Sequence, residues 1–291
     1  MNPSPSLDLV TDVRDMLAFP FMVNALEAGT LVALLAAVAG WYRFAGDALS
    51  HVAFVGAIAA AVLGVNVRIG LFAGCLLVAA GMATLGREGR ADDVVIGLVF
   101  AWVLGIGVLL LALLATSGNA GSGIAATNTL FGSIYSLGAG VSRLAAAIGL
   151  LITVGVVAIA RPLLLSTLDA ELAAARGVPV GALGAVFLAA LAVVTAQSTE
   201  AVGALLLLGL LAAPAGGAHR LTTSPWRGLA LSGTFAVGSM WGGLALAYAI
   251  PTLPPSSAVI GLARAIFGGA TLVARWRHAI AARSPDAGSP R

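Results

Sequence analysis

The sequence predicts an all-α fold, a polytopic transmembrane helical bundle of about eight to nine spans, and three observations predict it. Apolar residues fill 60% of the 291 positions and charged residues only 9%, a mean hydropathy of +1.04 that no water-exposed surface tolerates. Several apolar runs reach the roughly 20 residues a helix needs to cross the hydrocarbon layer, and none alternates as a membrane barrel strand would. The basic residues are 15 arginines with no lysine, set mostly in the links between apolar runs, where topology signals belong.

Taken in order, residues 1–17 form an N-terminal extension without the basic region, short apolar core and cleavage site of a signal peptide. Spans are expected near 18–41, 48–66, 69–86, 94–115, 141–160, 180–197, 199–216, 229–250 and 256–274, and 275–291 forms a cytoplasmic tail. The arginine-bearing links "YRFAG", "GREGRADD", "ARPLLLSTLDAELAAARGV" and "AHRLTTSPWRG" face the cytoplasm by the positive-inside tendency. Their alternation puts the N-terminus outside and the C-terminus inside. Arg68, in an outside link, is an exception, and the division of the run 180–216 rests on the polar dip "QSTE". The segment "TSGNAGSGIAATNT" (116–129) reads as an outer loop, and "LFGSIYSLG" after it is too short to cross, so it reads as re-entrant or interfacial. "STLDAELAAARGVPVG" reads as a short amphipathic helix stopped by Gly177 and Pro179, suited to docking a soluble partner.

Composition excludes several functions. Arginines placed as topology signals argue against nucleic-acid binding. The single cysteine, Cys75, sits mid-run as a small apolar residue, so no disulfide framework or paired-thiol metal site exists. A chain without lysine has no phosphate-binding loop of the Gly-rich, Lys-Ser/Thr kind.

Ionisable residues within the spans are few: Glu27, Asp47, His51 and Glu200. An ionised side chain at mid-bilayer costs several kcal/mol, so such residues face a cavity, a partner or a substrate path. Asp47 and His51 stand four apart, on one helical face. Two readings are open: an ordinary helix-start aspartate beside a histidine bonded to a backbone carbonyl, or half a site for a borderline divalent ion such as zinc or manganese. Glu27 reads as a glutamate near the outer interface, and Glu200 as an acid at an outer helix end, where the dipole can favour it. His219 and His278 lie beside arginines in cytoplasmic segments. Ser50 and His51, adjacent on a helix, diverge by about 100 degrees and cannot form a hydrolase's nucleophile–base pair by themselves.

Four pieces in order resemble the zinc and manganese permease subunits of bacterial ATP-binding-cassette importers. They are "GDALSHVAFVGAIAA", "DDVVIGLVFAWVLGIGVLLL", "NTLFGSIYSLG" and "EAVGALLLLGLLAAPAGGAHRLT". The resemblance covers roughly residues 20 to 275 and implies a metal-importer permease domain over 18–274. It places the family's metal-passage Asp and His on Asp47 and His51. "LDAELAAARGV" resembles the family's ATPase-coupling segment and covers Asp169, Glu171, Leu172, Arg176, Gly177 and Val178, with Ala170 in place of the family's proline. The link "GWYRFAGD" is shorter than usual, "PAGGAHR" departs from the commoner residues, and the histidine some zinc-type members carry in the fourth span is absent from "VFAWVL".

The resemblance implies a multi-pass permease of the bacterial cytoplasmic membrane, doing no bond chemistry itself. Its implied partners are a separate ATPase subunit, an extracytoplasmic metal-binding protein and a second permease copy. Zinc or manganese is cargo, and no cofactor is held permanently. Two ligands per copy, completed by water or the second copy, would bind and release an ion that a closed four-ligand cage would retain. Glu27 and Glu200 are candidate additional pathway residues. The alternative is an ion-gradient-driven secondary transporter with one of those glutamates as proton carrier.

Overall fold

The computed structural model describes residues 43–85, 93–116, 132, 139–250 and 252–281. Every regular element among them is helical: α1 Arg43–Val62, α2 Val67–Leu85, α3 Asp93–Thr116, α4 Ala139–Ala158, α5 Ala160–Leu168, α6 Ala170–Ala175, α7 Val180–Val202, α8 Ala204–Leu221, α9 Pro225–Ala249 and α10 Pro255–Ala281. Among the described residues, five helices are long and apolar enough to cross a membrane, or six if the bent pair α4–α5 is one span. The expected eight or nine spans are therefore met only in part. The first of them, 18–41, lies outside the described residues, as do Glu27, the loop 117–129 and the re-entrant piece apart from Gly132. The apolar part of α1, Ala48–Val62, is shorter than a full crossing.

Local chemistry sets the helix ends. α1 stops at Gly64, whose φ of 69° only glycine adopts without strain. There the Gly64 N–H bonds to the Ala61 carbonyl and the Val65 N–H to that of Ala60, the paired bonds of a Schellman end. Asn66 then caps α2, its Oδ1 accepting the Arg68 N–H at 2.9 Å. Pro225 and Pro255 stand at the first positions of α9 and α10, where a missing N–H is harmless.

Two expected boundaries are corrected. The run 180–216 divides at Gly203 (φ 93°), not at "QSTE", which lies inside α7. Its polar residues mark no membrane surface, because Gln197, Ser198 and Thr199 are buried in the bundle. The expected span 141–160 is broken at Ile159, where α4 and α5 meet at 59°. Pro162 explains the break: its ring excludes the carbonyl four residues back, at Ala158. α10 runs unbroken past 274 to Ala281.

With little hydrophobic drive between helices in lipid, close packing holds the bundle together. α1 is its centre, touching α2, α3, α7 and α8. α1 and α2 run antiparallel and meet through Gly56, Gly70 and Gly74. A Cβ on Gly74 would lie 3.2 Å from the Gly56 Cα, and one on Gly70 only 2.5 Å from the Ala60 Cβ. α8 and α10 run parallel, Gly209 facing Ile260 and Gly216 facing Phe267, and α9 runs against both, with Phe235 beside Gly217 and Gly243 against Val259. Large apolar side chains such as Trp102, Leu109 and Leu151 cover the outside, the inverse of a water-facing surface.

Candidate metal-passage site and ATPase-coupling segment

His51 lies on α1 one turn after Asp47. Ala48, Leu49, Ser50, Val52 and Ala53 around it are buried, while His51 itself is half-buried. Phe100 of α3 meets the imidazole edge to face, ring centroids 5.1 Å apart at 81°. That contact and the packing of Val55 against Gly107 hold α3 parallel to α1. On the other side, the Cys75 thiol donates to the Leu49 carbonyl at 3.5 Å, which fixes α2 at the same level. Cys75 is fully buried, the small apolar role its position predicted. The histidine thus has α2 and α3 held on either side of its helix, while the Asp47 side chain lies outside the described residues. Among the described residues no three His, Cys, Asp or Glu groups gather within reach of one ion.

Glu200 is not brought to His51. It sits in the last turn of α7, the carbonyl end of the helix, so the dipole reason expected for it does not apply. Its carboxylate instead accepts from Arg68 in the first turn of α2, from Nε at 3.0 Å and also from the terminal nitrogen. The side chains are 39% and 23% exposed, so this is a partly solvated pair. At 1.5 Å per residue along α2 from Cys75, it lies roughly 8 Å from the His51 level. The pair accounts for Arg68, the exception among the links, and gives Glu200 a partner in place of the expected dipole role. Sequence reasoning treated them separately, although both fall on one side of the membrane.

The same helix carries a feature that sequence reasoning missed. Thr195, Ser198 and Thr199 are fully buried, and their hydroxyls have no hydrogen-bond partner among the described residues. Ser166, Ser239, Thr153 and Thr271 bond back to carbonyls of their own helices, the usual solution in an apolar bundle. Gln197 donates to the Ala145 carbonyl of α4 at 2.7 Å.

The segment expected to couple to an ATPase is built as a compact corner. Asp169 caps α6, its Oδ1 accepting the Leu172 N–H at 2.9 Å. The helix closes with a second Schellman end, Gly177 N–H to Ala174 and Val178 N–H to Ala173. Gly177 has φ 79°, and a Cβ there would meet no atom of the described residues within 4 Å, so the backbone conformation is what demands glycine. Ala173 is buried, while Glu171, Leu172 and Arg176 are exposed. Ala170 stands at the first helical position, where a proline would fit equally well. The result is a rigid turn between α5 and α7 with a charged and apolar outer face.

Comparison with known proteins agrees with this architecture. The model of the ABC 3 transport family matches residues 18–274. The manganese transport system membrane protein MntC of Halalkalibacterium halodurans is 28% identical over 236 residues, 79% of each chain. The manganese import system permease protein ScaB of Streptococcus parasanguinis is 26% identical over 250 residues, 83% of this chain and 87% of that one. The solved structure of PsaBC from Streptococcus pneumoniae in complex with Fab superposes with a TM-score of 0.76 at 23% identity, covering 95% of this chain and 100% of that one, and so shares the fold. The chain therefore belongs to the ABC 3 transport family and is a multi-pass membrane permease.

Proposed function

We propose that this permease works in an ATP-driven importer of the bacterial cytoplasmic membrane and admits a divalent first-row metal, manganese in the first instance, with zinc as the competing cargo. The observation that carries the reading is the Asp47–His51 turn on α1, the helix packed against four others, in a chain whose residues 18–274 match the family. The names of the relatives, manganese permeases foremost, favour manganese. One carboxylate and one imidazole suit either ion.

The mechanism follows from incompleteness. Asp47 contributes a hard oxygen and His51 a borderline nitrogen, and a second copy of the chain across a two-fold axis would double that set to four. Water fills the remaining positions, so the ion is held during passage yet leaves. An extracytoplasmic binding protein delivers it. A separate ATPase subunit drives the change of access by pushing on the corner 169–178, whose exposed Glu171, Leu172 and Arg176 form the docking face. The rigid caps of α6 let that push pass into α5 and α7, which it touches. Eight or nine spans with the N-terminus outside fit the alternation of arginine-bearing links. The gradient-driven alternative is disfavoured, because Glu200 is tied to Arg68 and the family match points to ATP-driven transport.

The test is uptake of radioactive manganese, zinc and iron into cells with and without this chain, each with its ATPase subunit intact or inactivated. Manganese uptake that needs both is expected. Uptake that survives loss of the ATPase but collapses with the proton gradient would overturn the reading.

A further inference from the structure

We infer that the end of the bundle formed by α8, α9 and α10 carries a binding site for the phosphate of an anionic phospholipid. A cavity of about 340 Å³ opens between the α8–α9 turn and the projecting end of α10, lined by His219, Arg220, Thr222, Thr223 and Arg277 among others. Among the described residues, no acidic residue lines it. Two guanidinium groups facing one cavity without a carboxylate repel each other, and an anion between them removes the repulsion. The two threonines supply hydroxyl donors beside the arginines.

The walls are held in place. Arg220 lies over the face of Phe267 at 5.2 Å, so its head is anchored on α10. His219 and Arg220 occupy the last turn of α8, where cations are favoured by the helix dipole. Since α8 and α10 run parallel, Arg277 arrives at the same level from the other helix. The residues beside Arg277 on α10 are exposed, including Trp276 at 67% and Ile280 at 50%, so α10 projects beyond the bundle there.

Depth identifies the anion as a lipid headgroup. Trp276 and Trp226, both exposed, stand one and three residues along the chain from the lining residues Arg277 and Thr223, and aromatic residues of this kind mark the headgroup level of a membrane. Leu272, 68% exposed, lies about one turn further toward the bundle, and Val273 beside it is also exposed. That apolar strip would carry the acyl chains. A basic pocket between membrane helices, edged with tryptophan and leading to exposed leucine, matches an anionic phospholipid such as phosphatidylglycerol. This site rests on the membrane architecture alone and is independent of which metal passes.

The test is native mass spectrometry of the full-length chain with its ATPase subunit in mild detergent, titrated with phosphatidylglycerol, phosphatidylcholine of the same acyl chains, or inorganic phosphate. Phosphatidylglycerol should bind at least about tenfold tighter than phosphatidylcholine. Arg277→Gln should weaken it about fivefold, and Arg220→Gln with Arg277→Gln about 25-fold, from the usual contribution of each arginine near an anionic lipid. Arg277 stands on the projecting part of α10, so its variant keeps the bundle intact and the test valid should the double variant misfold. Equal binding of both lipids, or phosphatidylglycerol binding unchanged in Arg277→Gln, would overturn the site. Inorganic phosphate bound by wild type but not by the variants, with no preference for phosphatidylglycerol, would make it a soluble-anion site instead. Loss of the ATPase subunit in Arg277→Gln with lipid binding unaltered would make it a protein-docking surface.

Discussion

Replacing Gly70 with alanine tests whether the helix bearing Asp47 and His51 is held backbone to backbone. The added Cβ would lie 2.5 Å from the Ala60 Cβ and closer still to the Gly56 carbonyl oxygen. Carbon atoms in contact prefer about 3.5–4.0 Å, so α1 and α2 must part by about 1 Å or more. Overpacking costs about 1–3 kcal/mol. Here the obstacle is largely backbone, which has no rotamer to yield, so the upper part of that range applies, about 2–3 kcal/mol. That corresponds to roughly 30- to 150-fold in the folded-to-unfolded ratio. Thermal unfolding of the detergent-solubilised protein reads the effect, and metal uptake reads its consequence for α1. Gly81→Ala is the control on the same helix: among the described residues nothing lies within 4 Å of its Cβ, and alanine's helix propensity should make it neutral or slightly stabilising. A Gly70→Ala protein as stable as Gly81→Ala, with normal uptake, would refute the close-approach argument.

Two further substitutions probe the other features. At Gly177, alanine has room but inherits φ 79°, a strain of about 1 kcal/mol, whereas proline also loses the N–H bond to Ala174. Gly177→Ala should therefore lower ATPase association slightly and Gly177→Pro severely, with membrane insertion unchanged; normal ATP-coupled transport in Gly177→Pro would exclude this corner from docking. Glu200→Gln removes half of the Arg68 pair, and because that pair is partly solvated the stability loss should not exceed about 1 kcal/mol, with uptake within about twofold of wild type. A tenfold uptake loss in a stable Glu200→Gln protein would restore Glu200 to the transport path.

The order of helices and the Asp47–His51 turn were legible in the sequence because hydropathy and a spacing of four report directly on helix length and face. The corner 169–178 was legible for a similar reason, since Asp169 and Gly177 are cap residues whose chemistry is local. Gly203 was harder to find. The dip at "QSTE" outweighed it, because hydropathy cannot distinguish polar residues at a membrane surface from polar residues buried between helices. The break at Ile159 had its signal three residues later, in Pro162. Pairings across the bundle, Arg68 with Glu200, Gly56 with Gly70 and Arg220 with Arg277, were illegible, since each joins residues whose spacing along the chain encodes nothing about their distance in space. The 37 glycines suit close packing of helices in lipid but do not say which helices meet.

Uptake of radioactive manganese by Asp47→Ala and His51→Ala permeases tests most directly the proposal that these two residues carry the metal. Each variant should be expressed in cells lacking other manganese importers, with membrane insertion and ATPase association verified on the same preparations. In the proposed site each substitution would remove one of the two ligands a single copy contributes, twice over if two copies share the ion, so uptake should fall by about 10- to 100-fold or more in either variant. Assembled Asp47→Ala and His51→Ala proteins that take up manganese at the wild-type rate would contradict the account.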